Sequence, residues 1–438
     1  MSQPSLYSWG RYPYTPQTGH TAAWRDEWPQ LLRALAQEHG STLPYGNGRS
    51  YGDSCMAASG HVLQMRGTRK FIAADWEHGT ITAEAGTTLA EILAVSVSNG
   101  WFLPVTPGTQ FATLGGAIAN DVHGKNHHVR GTFGRHVLRF ELLRSEGVFH
   151  CSQDENIELF AATIGGLGLT GVVTWVTIQL MHIRSAQLDT QSQRFGNIAE
   201  FFALSNELDH KHEYSVAWVD CLARGVQLGR GAYFTGDHAP FGEHQLPERK
   251  KLSVPFTPPF SLINRVSLRA FNELYWRRQP SRQRYGKADY EPFFYPLDSL
   301  LHWNRIYGPR GFRQYQCVIP ENNGEDAVRT LLKVIASSNQ GSFLAVLKRC
   351  GELPSPGLLS FPLKGVSLAL DFPVHQRDRD GLFRRLDAIV SEAQGRLYPA
   401  KDAHMSPTDF KRGYPAWETV ERQRDPSIHS AFWARVTA

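Results

Sequence analysis

Three glycine-rich blocks fall within the first 171 residues of this chain. They are Gly46-Asn-Gly-Arg-Ser-Tyr-Gly52, the run from Pro107 to Gly124, and Gly165-Gly-Leu-Gly-Leu-Thr-Gly171. Without a Cβ, glycine lets backbone N–H groups approach an anion closely. The first block superficially matches a dinucleotide fingerprint. A Rossmann site needs a helix directly after its glycines, and Asp53-Ser-Cys-Met-Ala-Ala-Ser-Gly60 is a poor helix start. No Walker pattern occurs. The second block adds the Thr109 and Thr113 hydroxyls as donors, and its small residues leave room for a flat ring system. Each block alone reads equally well as a tight turn. Together they point to an extended ligand with a diphosphate, held mostly by backbone.

The 438 residues exceed one ordinary core, so two domains are expected. Pro29–His39 reads as a helix with Leu31, Leu32 and Leu35 on one face and Gly40 as its stop. Strand-like runs follow at His61–Met65, Phe71–Ala74 and Thr80–Glu84, then a helix at Leu89–Val97. Residues 137–181 look mostly β, with a helical piece near Glu155–Thr163. The pattern is α+β with many short strands, without strict strand–helix alternation. Beyond about residue 185 the character changes, with strands at 213–233, 312–320 and Ser367–Phe372. A new compact block begins at Arg396.

Five cysteines, at 55, 151, 221, 317 and 350, form no CxxC pair, so neither a disulfide framework nor a cysteine zinc site is expected. The first 17 residues lack an apolar signal-peptide core. The charge-free stretch Thr163–Met181, with four Gly and four Thr, reads as strands and turns rather than a membrane span. A cytoplasmic location is expected, with a membrane-associated or periplasmic one left open. Lys and Arg total 46 against 41 Asp and Glu, a net +5 too mild for a dedicated nucleic-acid binder. That excess is local. Asn264–Lys287 holds seven basic residues against Glu273 alone. It reads either as a solvated face or as a mobile flap for an anionic lipid surface or lipid-phosphate substrate.

The strings Gly48-Arg-Ser-Tyr-Gly-Asp53, Pro107-Gly-Thr109, Leu114-Gly-Gly-Ala-Ile-Ala119, Asp121-Val-His-Gly-Lys-Asn-His-His128 and Gly168-Leu-Thr-Gly171 closely resemble the vanillyl-alcohol-oxidase-like, PCMH-type FAD flavoproteins. The likeness continues through Trp303–Pro309, Gln314–Pro320, Asp371–Pro373 and Arg396–Asp402. It is strongest to members that oxidise the 2′-hydroxyl of a polyprenylphosphoryl pentose, the first half of an epimerisation completed by a short-chain NAD(P)H reductase. The resemblance implies an α+β, two-domain fold. Residues 1–187 and 396–438 would form the FAD-binding domain, and 188–395 an inserted substrate domain on an antiparallel sheet.

The resemblance also implies roles. FAD would lie against Pro44, Tyr45, Gly46, Asn47, Gly48, Arg49, Ser50, Tyr51, Gly52, Asp53 and Ser54. It would also meet Gly108, Thr113, Leu114, Gly115 and Gly116, then Asn120, Asp121, Val122 and His123. Val173 falls near the adenine end and Tyr398 near the flavin. Some relatives bond the flavin through a His in the first block. Arg49 stands there in this chain, so FAD is expected to be non-covalent. Lys401 is the leading candidate to position or deprotonate the sugar hydroxyl, with His123 and Tyr51 beside the flavin. Lys125, Trp218, Gln314, Gln316, Lys348, Ala369 and Lys401 match positions lining the substrate. Ala369 stands where some members carry a Cys, and Ser367 where the pattern has an amide side chain.

His123, His127 and His128 with Asp121 could suggest a metal, but Gly124 and Gly131 argue for a loop and no four-ligand set is completed. No metal is expected. Two other functions fit the glycine blocks: a soluble aldonolactone or alditol oxidase, and a flavin-binding protein without catalysis.

Overall fold

A computed structural model of the chain describes residues 6–246, 250–374 and 381–438. The amino-terminal part is built on several helices and two main sheets. The helix Trp28–His39 buries Trp28, Leu32 and Leu35, while Leu31 is only partly covered. Gly40 ends it at φ +78°, a backbone angle that side chains resist. Thr18–His20, His61–Gln64 and Leu43–Tyr45 form a parallel three-stranded sheet beside it.

The second sheet is antiparallel, in the order Phe71–Asp75, Thr80–Glu84, Val172–Gln179, Val137–Arg144, Gly147–Ser152. Val172–Gln179 is buried along most of its length, which explains the charge-free sequence there. Among the described residues no helix is long and apolar enough to cross a membrane. All five cysteines are free thiols.

The larger sheet is antiparallel and eight-stranded. Its order is Arg284–Asp289, Gln187–Phe195, Gly231–His238, Tyr214–Val219, Ala345–Cys350, Gly365–Pro373, Phe312–Pro320, Arg396–Leu397. Successive side chains of a strand point to opposite faces. On one face Tyr315, Cys317, Leu347, Leu368 and Leu370 join a core that includes Leu331, Leu332 and Ile335 of the helix Gly324–Ser338 and Leu386 of the helix Leu382–Glu392. The other face carries the polar set described below.

After Leu397 the chain returns to the amino-terminal sheet. Ile428 bridges Thr42, Ser430 bridges Ala57, and Phe410, Phe432 and Trp433 enter the same core as Trp28 and Val62. The basic segment 264–287 is an ordered helix, Arg265–Arg278, followed by an edge strand. Asn272 Nδ2 donates to buried Asp220 (2.8 Å), and Arg230 joins Asp220 to Glu273. Those polar ties, with Leu268 buried, seat the helix on the sheet.

Candidate active site

One cavity of about 520 Å³ separates the glycine blocks from the eight-stranded sheet. Its amino-terminal wall is backbone-rich: Pro44, Gly46 to Tyr51, Gly108, Thr113, Gly115, Gly116 and Asn120, with Gly168, Gly171 and Val173. The opposite wall is the polar face of the sheet, with Trp218, Gln314, Gln316, Val346, Lys348, Ser367 and Ala369. Register explains the grouping. Gln316 and Val346 both pair with Ala369, and Lys348 pairs with Ser367. All therefore face the same way.

The glycine blocks differ in what they offer. At the second block, Leu114 N–H donates to Thr87, Gly115 N–H to Ala85 and Gly116 N–H to Thr113 Oγ1. Those donors are spent. In the first block, among the described residues, the backbone N–H groups of Asn47, Gly48, Arg49 and Ser50 donate to no other part of the chain. Gly48 turns that loop at φ +60°. Consecutive free amides around such a turn make an anion nest. Gly108 has open space where a Cβ would stand. Buried Arg49 Nε, Ser54 Oγ and His123 Nδ1 have no protein partner. Such buried polar atoms are normally satisfied. The nest, the open glycine and the orphaned atoms fit a bound FAD.

Cationic chemistry converges where the two walls meet. Lys401 follows the tail strand Arg396–Leu397, and its Nζ sits 3.6 Å from the centre of the Tyr51 ring. Burial pulls its pKa down to about 7, with Lys348 adding to the drop and Asp371 opposing it. Burial raises Asp371 to about 7, against the Gln314 hydrogen bond (Nε2 to Oδ1, 2.6 Å) and Lys401. Lys348 donates to Gly124 O (3.0 Å) and burial lowers it to about 8. Lys125 donates to Phe294 O (3.1 Å), and burial with Lys348 lowers it to about 7. Burial first, then Lys348, His127 and Lys401, keeps His123 neutral. Gln316 Nε2 lies 3.3 Å from His123 Nε2. Tyr398 donates to Asn120 O (2.9 Å) and stacks on Phe361 at 4.5 Å.

Every residue expected at the substrate and each of the three expected to be catalytic lines this cavity. Five expected at the cofactor do not: Tyr45, Gly52, Asp53, Leu114 and Asp121. Each supports the wall from behind. Tyr45 donates to Tyr7 O, and Leu114 is fully buried in the core. Asp121 accepts from Gly134 N–H, Ser355 and Ser360. Gly52 lies so close to the Asp402 carbonyl that a Cβ would overlap it, and Asp53 pairs with Arg435. His127–Arg130 forms one helical turn where a loop was expected.

Sequence reasoning missed other wall residues. Trp9 stacks on the Arg49 guanidinium at 4.1 Å. Asp298 accepts from Thr109 Oγ1 and Gln110 N–H. Tyr275 of the basic helix packs edge-on to Trp218 at 4.7 Å. Asp371 does not line the cavity but sits fully buried behind it, in register with Gln314 and two residues on from Ala369 along the same strand face. That spacing was the available signal for it.

A family model described as FAD binding domain matches residues 21–152. The chain is similar to decaprenylphosphoryl-beta-D-ribose oxidase of Mycolicibacterium smegmatis, 33% identical over 96% of this chain and 94% of that protein. It is also similar to an uncharacterized protein in the mprA 5′ region of Streptomyces coelicolor, 35% identical over 78% of this chain and 96% of that protein. The likeness to L-gulonolactone oxidase of Bos taurus is 27% over 39% of each chain.

Proposed function

The chain belongs to the vanillyl-alcohol-oxidase-like, PCMH-type FAD-dependent oxidoreductases, and from that premise we propose that it oxidises the 2′-hydroxyl of a polyprenylphosphoryl pentose to a ketone. The observation that carries this reading is the set of three partly buried lysines, Lys125, Lys348 and Lys401, converging on one cavity. An anionic substrate compensates such a cluster; a neutral lactone does not. The relative that matches along nearly the whole chain is named for a lipid-phosphate sugar, whereas the lactone oxidase matches only 39%.

When bound, FAD supplies the acceptor for the hydride leaving the carbinol carbon. Lys401 takes the hydroxyl proton. Burial lowers its pKa well below that of a free lysine, which makes the neutral amine with its lone pair accessible. Asp371, fully buried behind the cavity wall and held by Gln314, favours the ammonium that forms. The Tyr51 ring holds that ammonium by a cation–π contact. Lys125 and Lys348 receive the phosphodiester. The outer face of the helix Arg265–Arg278 exposes Val266 and Leu274 near its arginines, suiting it to meet the lipid. The ketone calls for a short-chain NAD(P)H reductase to consume it.

Anaerobic mixing tests the substrate class. Polyprenylphosphoryl ribose in anionic vesicles should bleach the flavin, more slowly as salt rises, and a free aldonolactone should not. Bleaching by the lactone alone reverses the proposal.

We read the FAD as dissociable, because Arg49 offers no atom for a flavin bond and its guanidinium stacks on Trp9. Acid or heat precipitation should leave the yellow colour in the supernatant. Colour retained on the pellet contradicts this.

A further inference from the structure

Away from the cavity, three imidazoles meet at the end of the parallel sheet. His20 closes the strand Thr18–His20, His61 opens its neighbour His61–Gln64, and His39 closes the helix Trp28–His39. None of them lines the cavity. His20 Nε2 lies 3.0 Å from His61 Nδ1. The His39 and His61 rings stack with centroids 3.5 Å apart. One nitrogen from each of the three lies within 4.8 Å of the other two.

That spacing has a chemical meaning. Two nitrogens each about 2.0–2.1 Å from one tetrahedral zinc ion stand about 3.3–3.4 Å apart. The His20–His61 pair is already near this separation, and a His39 nitrogen lies within 4.8 Å of both, so rotation of the His39 ring out of its stack on His61 would complete a three-nitrogen face. The scaffold is already ordered. Both strands are fixed by parallel pairing, Thr42 Oγ1 donates to the His61 carbonyl (2.9 Å), and the helix stops at Gly40. Glu38 Oε1, 3.6 Å from His39 Nε2, offers a fourth ligand that water can replace. Neutral imidazole is the commonest protein ligand for zinc-class ions. The string His123–His128 is different: the His123 and His127 rings are 6.4 Å apart, and His123 serves the cavity.

We propose that His20, His39 and His61 form a binding site for a divalent transition-metal ion of the zinc class, pinning the helix to the parallel sheet. The ion would act on stability rather than on the redox reaction. The strand that begins with His61 leads directly to Met65 on the cavity wall, so the site would firm one wall from outside.

The test uses untagged, flavin-loaded, full-length protein titrated with Zn²⁺ in a calorimeter. The expected result is one saturable equivalent per chain, reversed by EDTA, with a higher unfolding temperature in Zn²⁺. His39→Gln and His61→Gln should each weaken binding by at least the about 10–100-fold that loss of a mere supporting partner costs. His78→Gln, at an exposed position, should leave it unchanged. Flavin absorbance establishes that each variant is folded, and half-buried His39 on a helix end is the variant least disruptive to folding. Absence of saturable Zn²⁺ binding overturns the proposal. So does binding that survives both substitutions, or that falls only in variants that also lose their flavin.

Discussion

Lys401→Ala should slow substrate-driven bleaching of the flavin by about 10²–10⁴-fold, the range for loss of a general base. Its flavin content should stay at the wild-type level, because Lys401 reaches into the cavity from the tail rather than from the amide nest at 47–50. Lys401→Arg should not rescue the rate. Arginine keeps the positive charge but holds its proton at any working pH. The pH profile carries the same information. A base works in its deprotonated form, so the wild-type rate should climb as pH rises through about 7 and level off above it. The variant should lose that ascending limb. A variant within tenfold of wild type, or one that keeps the limb, refutes the role as base.

Arg435→Met should cost about 3–5 kcal/mol, the usual penalty for stranding a buried charge. The Arg435 guanidinium spans two buried carboxylates, Asp53 (2.8 and 2.9 Å) and Asp402 (2.8 Å), and donates to the Met405 carbonyl. It thereby ties the last helix, Ala431–Thr437, to the first glycine block and to the neighbour of Lys401. The two ends differ. Burial raises Asp53 despite Arg435. Burial would raise Asp402 too, but His404 and Arg435 outweigh it and hold Asp402 well below the carboxylate range. Burial would lower His404, yet Asp402 and Asp387 raise it to about 9. The sign follows from linkage. The contribution of His404 is complete below about 6.5, its unfolded value. It is lost as pH rises through about 9. Thermal unfolding should show the Arg435→Met loss together with early flavin release, and wild-type stability should decline from neutral pH toward 9. An unchanged midpoint in the variant contradicts the staple.

Local pattern in the sequence was enough for the strand at Thr80–Glu84, the helix that ends at His39 and the β character of 137–181. Backbone-lined turns announced themselves through glycine, which is why the first and second blocks were readable as one wall. A motif string does not say which of its members face the ligand. Pro44 lines the cavity while the next residue, Tyr45, turns to the core, as alternate positions of an extended segment must. Asp53 and Asp121 sit inside recognisable strings but spend their oxygens on Arg435 and on Gly134, Ser355 and Ser360. Trp9, Asp298 and Tyr275 reach the cavity from distant segments, and no local spacing encodes that. The same holds for His20, His39 and His61, which are scattered in sequence and meet only once strand and helix pair. The basic segment 264–287 was visible as charge, but its anchoring depends on Asn272 finding Asp220 across the fold.

The central claim is that the hydride leaves carbon 2′ of a lipid-phosphate pentose inside this cavity. Anaerobic stopped-flow bleaching with substrate deuterated at single carbons tests it most directly. Deuterium at carbon 2′ should slow bleaching several-fold, while deuterium at carbon 3′ should leave the rate unchanged. Slowing by 3′-deuterium with none from 2′, or no bleaching by this substrate at all, would contradict the account.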